Sequence, residues 1–182
     1  MYGLLKKIFS TPRVTIPRGI FTGSSDTEVM EIGERLRESI FLSLGGSLAI
    51  REVDAGSTNA EEWELTALGN AYYDIERFGI HFVASPRHAD ALLVTGPVSR
   101  NMVDALRRTY EATPDPKIVI AVGDGAIDGG IFKGSYAIVG GVKEVIPVDM
   151  EIPGDPPTPK AIMSALCTLS NELGKRRHAI RS

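Results

Sequence analysis

Ala91-Leu92-Leu93-Val94-Thr95-Gly96-Pro97 is the stretch on which the fold turns. Five residues without a charge end at a glycine and a proline. A half-exposed strand would alternate apolar and polar residues, so a continuous apolar run fits a strand buried on both faces. Lys117–Val122 repeats the pattern and is followed by Gly123. Ser47–Val53, Ile80–Ala84 and Glu144–Val148 read as further strands. Between them lie helical patterns. In 26–44, Val29, Ile32, Leu36, Ile40 and Leu44 recur at helical spacing, with Ser25 or Asp26 as cap. Glu61–Leu68 and Asn101–Glu111 are shorter helices, and Thr158 caps a last one running to about Leu173. Residues 123–142 read as a glycine-rich folded loop, where backbone approaches something closely.

Strands alternating with helices predict an α/β fold, with a mainly parallel sheet flanked by helices. Function in such sheets collects at the carboxyl ends of the strands. Here those ends are Asp54–Ala60, Gly96–Asn101, Gly123–Gly130 and Asp149–Pro157, expected to converge on one edge.

The length, 182 residues, suits one domain with a sizeable core. The single cysteine excludes an internal disulfide and any multi-thiolate metal site built from this chain alone. The net charge of −3 conceals an asymmetry. Lys6, Lys7, Arg13 and Arg18 stand near the start, and Lys175, Arg176, Arg177 and Arg181 near the end. Without those, 12 basic residues face 23 acidic ones. The expected organisation is a basic docking segment (1–24), one domain (25–173) and a basic tail (174–182). Eight charges split between two ends make a poor nucleic-acid footprint. Met1–Ser10 lacks the apolar core of a signal peptide, although Leu4, Leu5, Ile8 and Phe9 share a helical face. No apolar run reaches the roughly 20 residues of a membrane span.

Several loops carry a family likeness. Val53-Asp-Ala-Gly-Ser-Thr58-Asn-Ala-Glu61-Glu62 resembles the Val-Asp-Ala-Gly-Ser-Cys-Asn-Gly-Cys-Glu loop of small subunits of membrane-bound group 4 [NiFe] hydrogenases. These are similar to the 20-kDa subunit of NADH:quinone oxidoreductase, respiratory complex I. The likeness continues in Tyr73-Asp-Ile-Glu-Arg-Phe-Gly-Ile80 and in Ala84-Ser-Pro-Arg-His-Ala-Asp90, which leads into Ala91–Pro97. Ile120-Ala-Val-Gly-Asp124, Gly134-Ser-Tyr-Ala-Ile-Val-Gly-Gly-Val142 and Val145-Ile-Pro-Val-Asp-Met-Glu-Ile-Pro-Gly154 complete it. The motifs cover about residues 45–173, in order.

The resemblance implies a flavodoxin-like fold. It also implies a subunit packed on a hydrogenase-type (49-kDa-type) large subunit, with membrane-arm subunits nearby. That placement is peripheral, at the cytoplasmic face of the membrane. In the family, four loop cysteines hold a [4Fe–4S] cluster, the last relay before quinone or the nickel–iron site. Carried over, those positions fall on Thr58, Glu61, Gly125 and Asp155, none of them a thiol. Glycine offers no side chain, a threonine hydroxyl stays protonated, and carboxylates are hard donors better suited to Mg²⁺ or Ca²⁺. No cluster is therefore expected. Cys167 lies on the apolar face of the last helical pattern and reads as a core residue. The expected role is a structural bridge between the large subunit and the membrane arm, without catalysis by this chain itself. Glu62, Trp63, Arg77, Arg87, His88 and Arg100 are candidates for the partner interface.

Other readings follow from the residues alone. Thr58-Asn-Ala-Glu61 fits a capping box, in which the threonine and glutamate each close a free amide at a helix start. Gly56–Asn59 has the small hydroxyl residues of a flavin phosphate loop, but Glu61, Glu62 and Glu64 would repel a phosphate. Gly123–Gly130 is not Gly-x-Gly-x-x-Gly, and no helix is expected after it, which argues against a dinucleotide. Glu61, Asp124, Asp128 and Asp155 could form an oxygen cage for a hard cation, giving an enzyme component with a rebuilt metal or small-molecule site. A free-standing interaction module is the third class. His81, His88 and His178 are dispersed, and neither Ser57 nor Ser85 is set in a hydrolase pattern. Trp63, Tyr72 and Tyr73 suit either core or interface.

Overall fold

The computed structural model describes residues 25–181, with side chains for 27–173. The expected basic segment 1–24 lies outside the described residues, as do the side chains of the tail and of the Ser25/Asp26 cap.

The elements in chain order are α1 (Ser25–Leu44), β1 (Leu48–Asp54), α2 (Ala60–Leu68), β2 (Ile80–Phe82), β3 (Ala91–Thr95), β4 (Val98–Ser99), α3 (Val103–Ala112), β5 (Ile118–Val122), α4 (Asp124–Asp128), β6 (Ile138–Gly140), β7 (Met150–Ile152) and α5 (Pro159–Arg181). Five strands form one parallel sheet in the order β2-β1-β3-β5-β7. β4 and β6 form a separate antiparallel pair. The chain starts near the middle of the sheet, moves to the β2 edge, then crosses back to β3. Its topological switch therefore lies between β1 and β3, as in the flavodoxin-like order.

All five residues of β3 are buried, and they serve two cores by alternation. Ala91 and Leu93 join Leu48, Ile50, Ile120, Val122 and Ile152 beneath α1, α2 and α5. Leu92 and Val94 join Val53, Val119 and Ala121 on the other face, with Leu106, Ala126 and Ile146. The helices α1 and α5 are further fastened where the Ser39 hydroxyl meets those of Ser170 and the Asn171 side chain, each at 2.9 Å. Cys167 is half-buried against the first core, as expected.

Three expectations change. The predicted strand Glu144–Val148 is not one. Val142–Glu144 is a 3-10 turn, and Val142 and Ile146 are buried as loop residues in the second core. Pairing begins later, at Met150 opposite Ile120. The glycine-rich stretch holds a short helix, α4, directly after β5, where none was expected. The last helix is capped at Thr158, whose hydroxyl accepts from the Ala161 amide, but it runs to Arg181 rather than ending near Leu173.

Candidate functional site

The carboxyl ends of β1, β3, β5 and β7 do converge, and backbone contact is what brings them so close. Gly96, with φ +67°, leaves no space for a side chain: a Cβ there would lie 2.3 Å from the Ser57 backbone. The β1 loop therefore rests directly on the β3 loop. Asp54 shapes the first of these, its Oδ1 accepting from the amides of Gly56 and Ser57, both at 2.8 Å. Asp124 joins β5 to the β7 loop by accepting from the Gly154 amide, while its own amide donates to the Gly154 carbonyl, both at 2.8 Å.

Between these loops lies a cavity of about 50 Å³. Thr58, Glu61, Gly125 and Asp155 all line it, together with Pro97, Gly129, Gly130, Ile131 and Phe132. The four positions singled out in the sequence, from two loops and the first turns of α2 and α4, thus meet in one place. Thr58 and Asp155 are exposed at the rim, and Glu61 is the buried one at 3% exposure.

The expected capping box is not formed. Asn59, not Thr58, is the N-cap of α2, in the left-handed region at φ +70° and without a side-chain bond to the helix. That conformation shifts the helix start by one residue and turns Glu61 inward. One face of Gly123 accommodates it: a Cβ at Gly123 would lie 2.5 Å from Glu61 Oε1. Glu61 Oε2 is buried with no hydrogen-bond partner. Burial raises the Glu61 pKa above the usual carboxylate range, and the neighbouring charges of Glu62, Asp155 and Asp54 add to the rise. Glu52, on β1, is raised for the same leading reason, with Glu62 the next cause.

It is Glu62 that takes the hydroxyls. Ser57 Oγ donates to its Oε2 at 2.6 Å, and Thr95 Oγ1 donates to its Oε1. The Thr95 contact joins residues far apart in sequence. The only signal for it was a hydroxyl residue at the carboxyl end of a buried strand.

The oxygen cage is not assembled. Asp124 is used on Gly154, and Asp128 accepts from the Gly130 amide at 3.0 Å and from Lys133 Nζ at 2.9 Å. Lys133 accordingly lowers the Asp128 pKa. Among the described residues no three His, Cys, Asp or Glu are grouped to hold a metal ion.

The interface candidates are dispersed. Trp63, 69% exposed, follows Glu62 in α2. Arg100 Nε donates to the Tyr136 carbonyl at 2.6 Å and braces the loop before β6. Arg77 lies beside the β2 edge, its guanidinium 4.8 Å from the Phe78 ring centre and 3.6 Å from Asp74. Arg87 and His88 are at the opposite end of the sheet, on a cavity of about 510 Å³ lined also by Asp90, Lys117 and Asp149. Tyr73 packs on the core, whereas Tyr72 is exposed. The sequence reading missed Ile131 (80% exposed), which lines the small cavity, and Tyr136 (91%) in the loop before β6. Large apolar residues inside a glycine-rich stretch were the available signal. No described helix is long and apolar enough to cross a membrane.

A family profile described as NADH ubiquinone oxidoreductase, 20 Kd subunit, matches residues 59–169. The chain is 44% identical over 119 residues to an NADH-quinone oxidoreductase subunit of Geotalea uraniireducens, covering 65% of this chain and 69% of that one. It is 42% identical over 132 residues to a probable membrane-bound hydrogenase subunit of Pyrococcus furiosus, covering 72% and 79%. Among solved structures, a chain of the membrane-bound sulfane sulfur reductase, an archaeal respiratory membrane complex, superposes with a TM-score of 0.65 at 37% identity, covering 76% of this chain and 77% of that one. These matches and the sheet order agree: the chain belongs to the family of the 20-kDa subunit of NADH:ubiquinone oxidoreductase.

Proposed function

We propose that this chain is the small subunit of a membrane-associated, oxidoreductase-type complex. In that complex it bridges a large-subunit homologue and the membrane arm without relaying electrons through a cluster of its own. Its place is peripheral, at the cytoplasmic face.

The observation that carries the reading is the lining of the small cavity. A [4Fe–4S] cluster needs about four thiolates, with histidine as an occasional substitute. The lining residues offer a hydroxyl, two carboxylates and glycine backbone. Space argues the same way at Gly125, where a Cβ would lie 2.8 Å from Pro97 Cδ, so any side chain there forces the β3 loop to move. Cys167 packs on the first core and is not among the cavity's lining residues. The family likeness and the exposed apolar residues at this end of the sheet support a docking role.

Two measurements test the proposal. Iron and acid-labile sulfide are assayed on chain produced anaerobically with ample iron. The expected result is less than one tenth of an equivalent of iron, and a stoichiometric cluster with its visible charge-transfer absorption would overturn the cluster-less reading. Affinity purification from native membranes is expected to recover a large-subunit homologue and membrane subunits. Recovery of this chain alone would overturn the bridging role.

A further inference from the structure

Among the described residues, Glu61 Oε2 is the one buried side-chain oxygen or nitrogen without a hydrogen-bond partner. Its carboxylate is 3% exposed, one oxygen packs on Gly123, and the other has no donor. A buried carboxylate without a donor is costly, and native proteins supply a partner for such groups. The only donor to the carboxylate from within is the residue's own backbone amide, and no counter-charge is supplied: among the described residues no Lys or Arg forms an ion pair with Glu61, Glu62 or Asp155.

The cavity beside Glu61 leads outward. Its inner wall is Glu61, Pro97 and Gly129, all buried, and its rim is Thr58, Ile131, Phe132 and Asp155, all exposed. A bare metal ion would need three or more protein donors to replace its water, and that grouping is not present among the described residues. A basic side chain needs less. Its charged head meets one buried carboxylate, with a second at the rim, while its alkyl stem lies along Ile131, Phe132 and Pro97.

We propose that this cavity is a socket for one arginine or lysine side chain of the partner subunit, with Glu61 as the buried anion and Asp155 as the anion at the mouth. The inference rests on the docking role proposed above and names the chemistry by which the partner is held. An otherwise destabilising carboxylate is thereby matched only in the assembled state, so the contact favours the correct partner over a neutral one.

The test uses the full chain, tagged and expressed in its native host, as wild type, Glu61→Gln and Asp155→Asn. Glu111→Gln, on exposed α3, is the control. Each is purified from membranes at low salt, and the salt concentration that releases the co-purifying subunit is measured. The thermal midpoint of each free chain is measured alongside. The expected result for Glu61→Gln is release of the partner at a clearly lower salt concentration than wild type, as for removal of one partner of a buried charged pair, together with a free chain that melts no lower than wild type. Asp155→Asn loses less, and Glu111→Gln loses nothing. Unchanged release in Glu61→Gln would overturn the socket while leaving the docking role intact. A lower melting point matched by a parallel loss of partner would also overturn it, because that marks a merely structural residue. Stoichiometric divalent metal in the wild-type complex that is absent from Glu61→Gln would overturn it in favour of an ion. A wild-type chain that brings down no partner removes the docking role and the socket together.

Discussion

Acids accept backbone amides at both ends of the parallel sheet, and the two ends differ in one carboxylate, that of Glu61. At the amino end, carboxylates complete the sheet. Asp90 Oδ2 accepts from the Ala49 amide and Asp149 Oδ2 from the Val119 amide, each at 2.9 Å. Lys117 there donates to the carbonyls of Tyr110 and Thr113 and lies over the Tyr110 ring at 4.4 Å. At the carboxyl end, Glu62 is satisfied by two hydroxyls and Glu61 is not. Both ends carry a cavity, and the one at the carboxyl end is lined by a buried carboxylate oxygen without a partner. The acids of the amino end serve the sheet, and Glu61 at the carboxyl end is the one that the proposed partner contact would use.

The largest expected effect breaks the carboxyl end outright. Gly96→Ala sets a Cβ 2.3 Å from the Ser57 backbone at a positive φ. Strain and displacement together predict a loss of about 3 kcal/mol in urea unfolding of the isolated chain. A loss below about 0.5 kcal/mol would mean that the two loops are not in contact.

A smaller effect is expected at the amino end. Asp149→Ala leaves the buried Val119 amide without its acceptor, which predicts a loss of about 1–2 kcal/mol. Asp149→Asn keeps an oxygen there and is expected to retain most of that stability.

The smallest effect has the opposite sign. Glu61 titrates higher in the fold than in the unfolded chain, so the native state holds its proton more tightly. Its contribution to stability therefore declines as pH rises above the ordinary carboxylate range. Glu61→Gln removes that dependence, predicting a small gain in stability at neutral pH and a flatter course of unfolding free energy with pH. A loss at neutral pH in this variant would show that the carboxylate is stabilised within the chain by more than its own backbone amide. The contrast between the two ends would then disappear.

Much of the fold was legible because burial on both faces writes itself as an apolar run. Ala91–Thr95 matches the sequence reading residue for residue. The misreading at Val145–Val148 has the same origin in reverse. That segment is apolar because Ile146 fills the second core as a loop, while β7 is only three residues long and too short to show a period. The convergence of Thr58, Glu61, Gly125 and Asp155 was legible from strand ends and from family motifs. Glu61's inward turn was not. It depends on a left-handed Asn59 and on the bare face of Gly123, two features far apart in the chain that no local pattern connects. The capping motif fitted the letters, but the helix began one residue later.

The carboxylate of Glu62 also has a mechanical consequence. It ties the first turn of α2 to Ser57 in the preceding loop and to Thr95 at the end of β3. Trp63 is the next residue and projects into solvent. A lateral pull applied through Trp63 is thus shared at once by a helix and the central strand of the sheet. Rotation of Trp63 about the start of α2 is therefore resisted by the sheet as well as by its own helix.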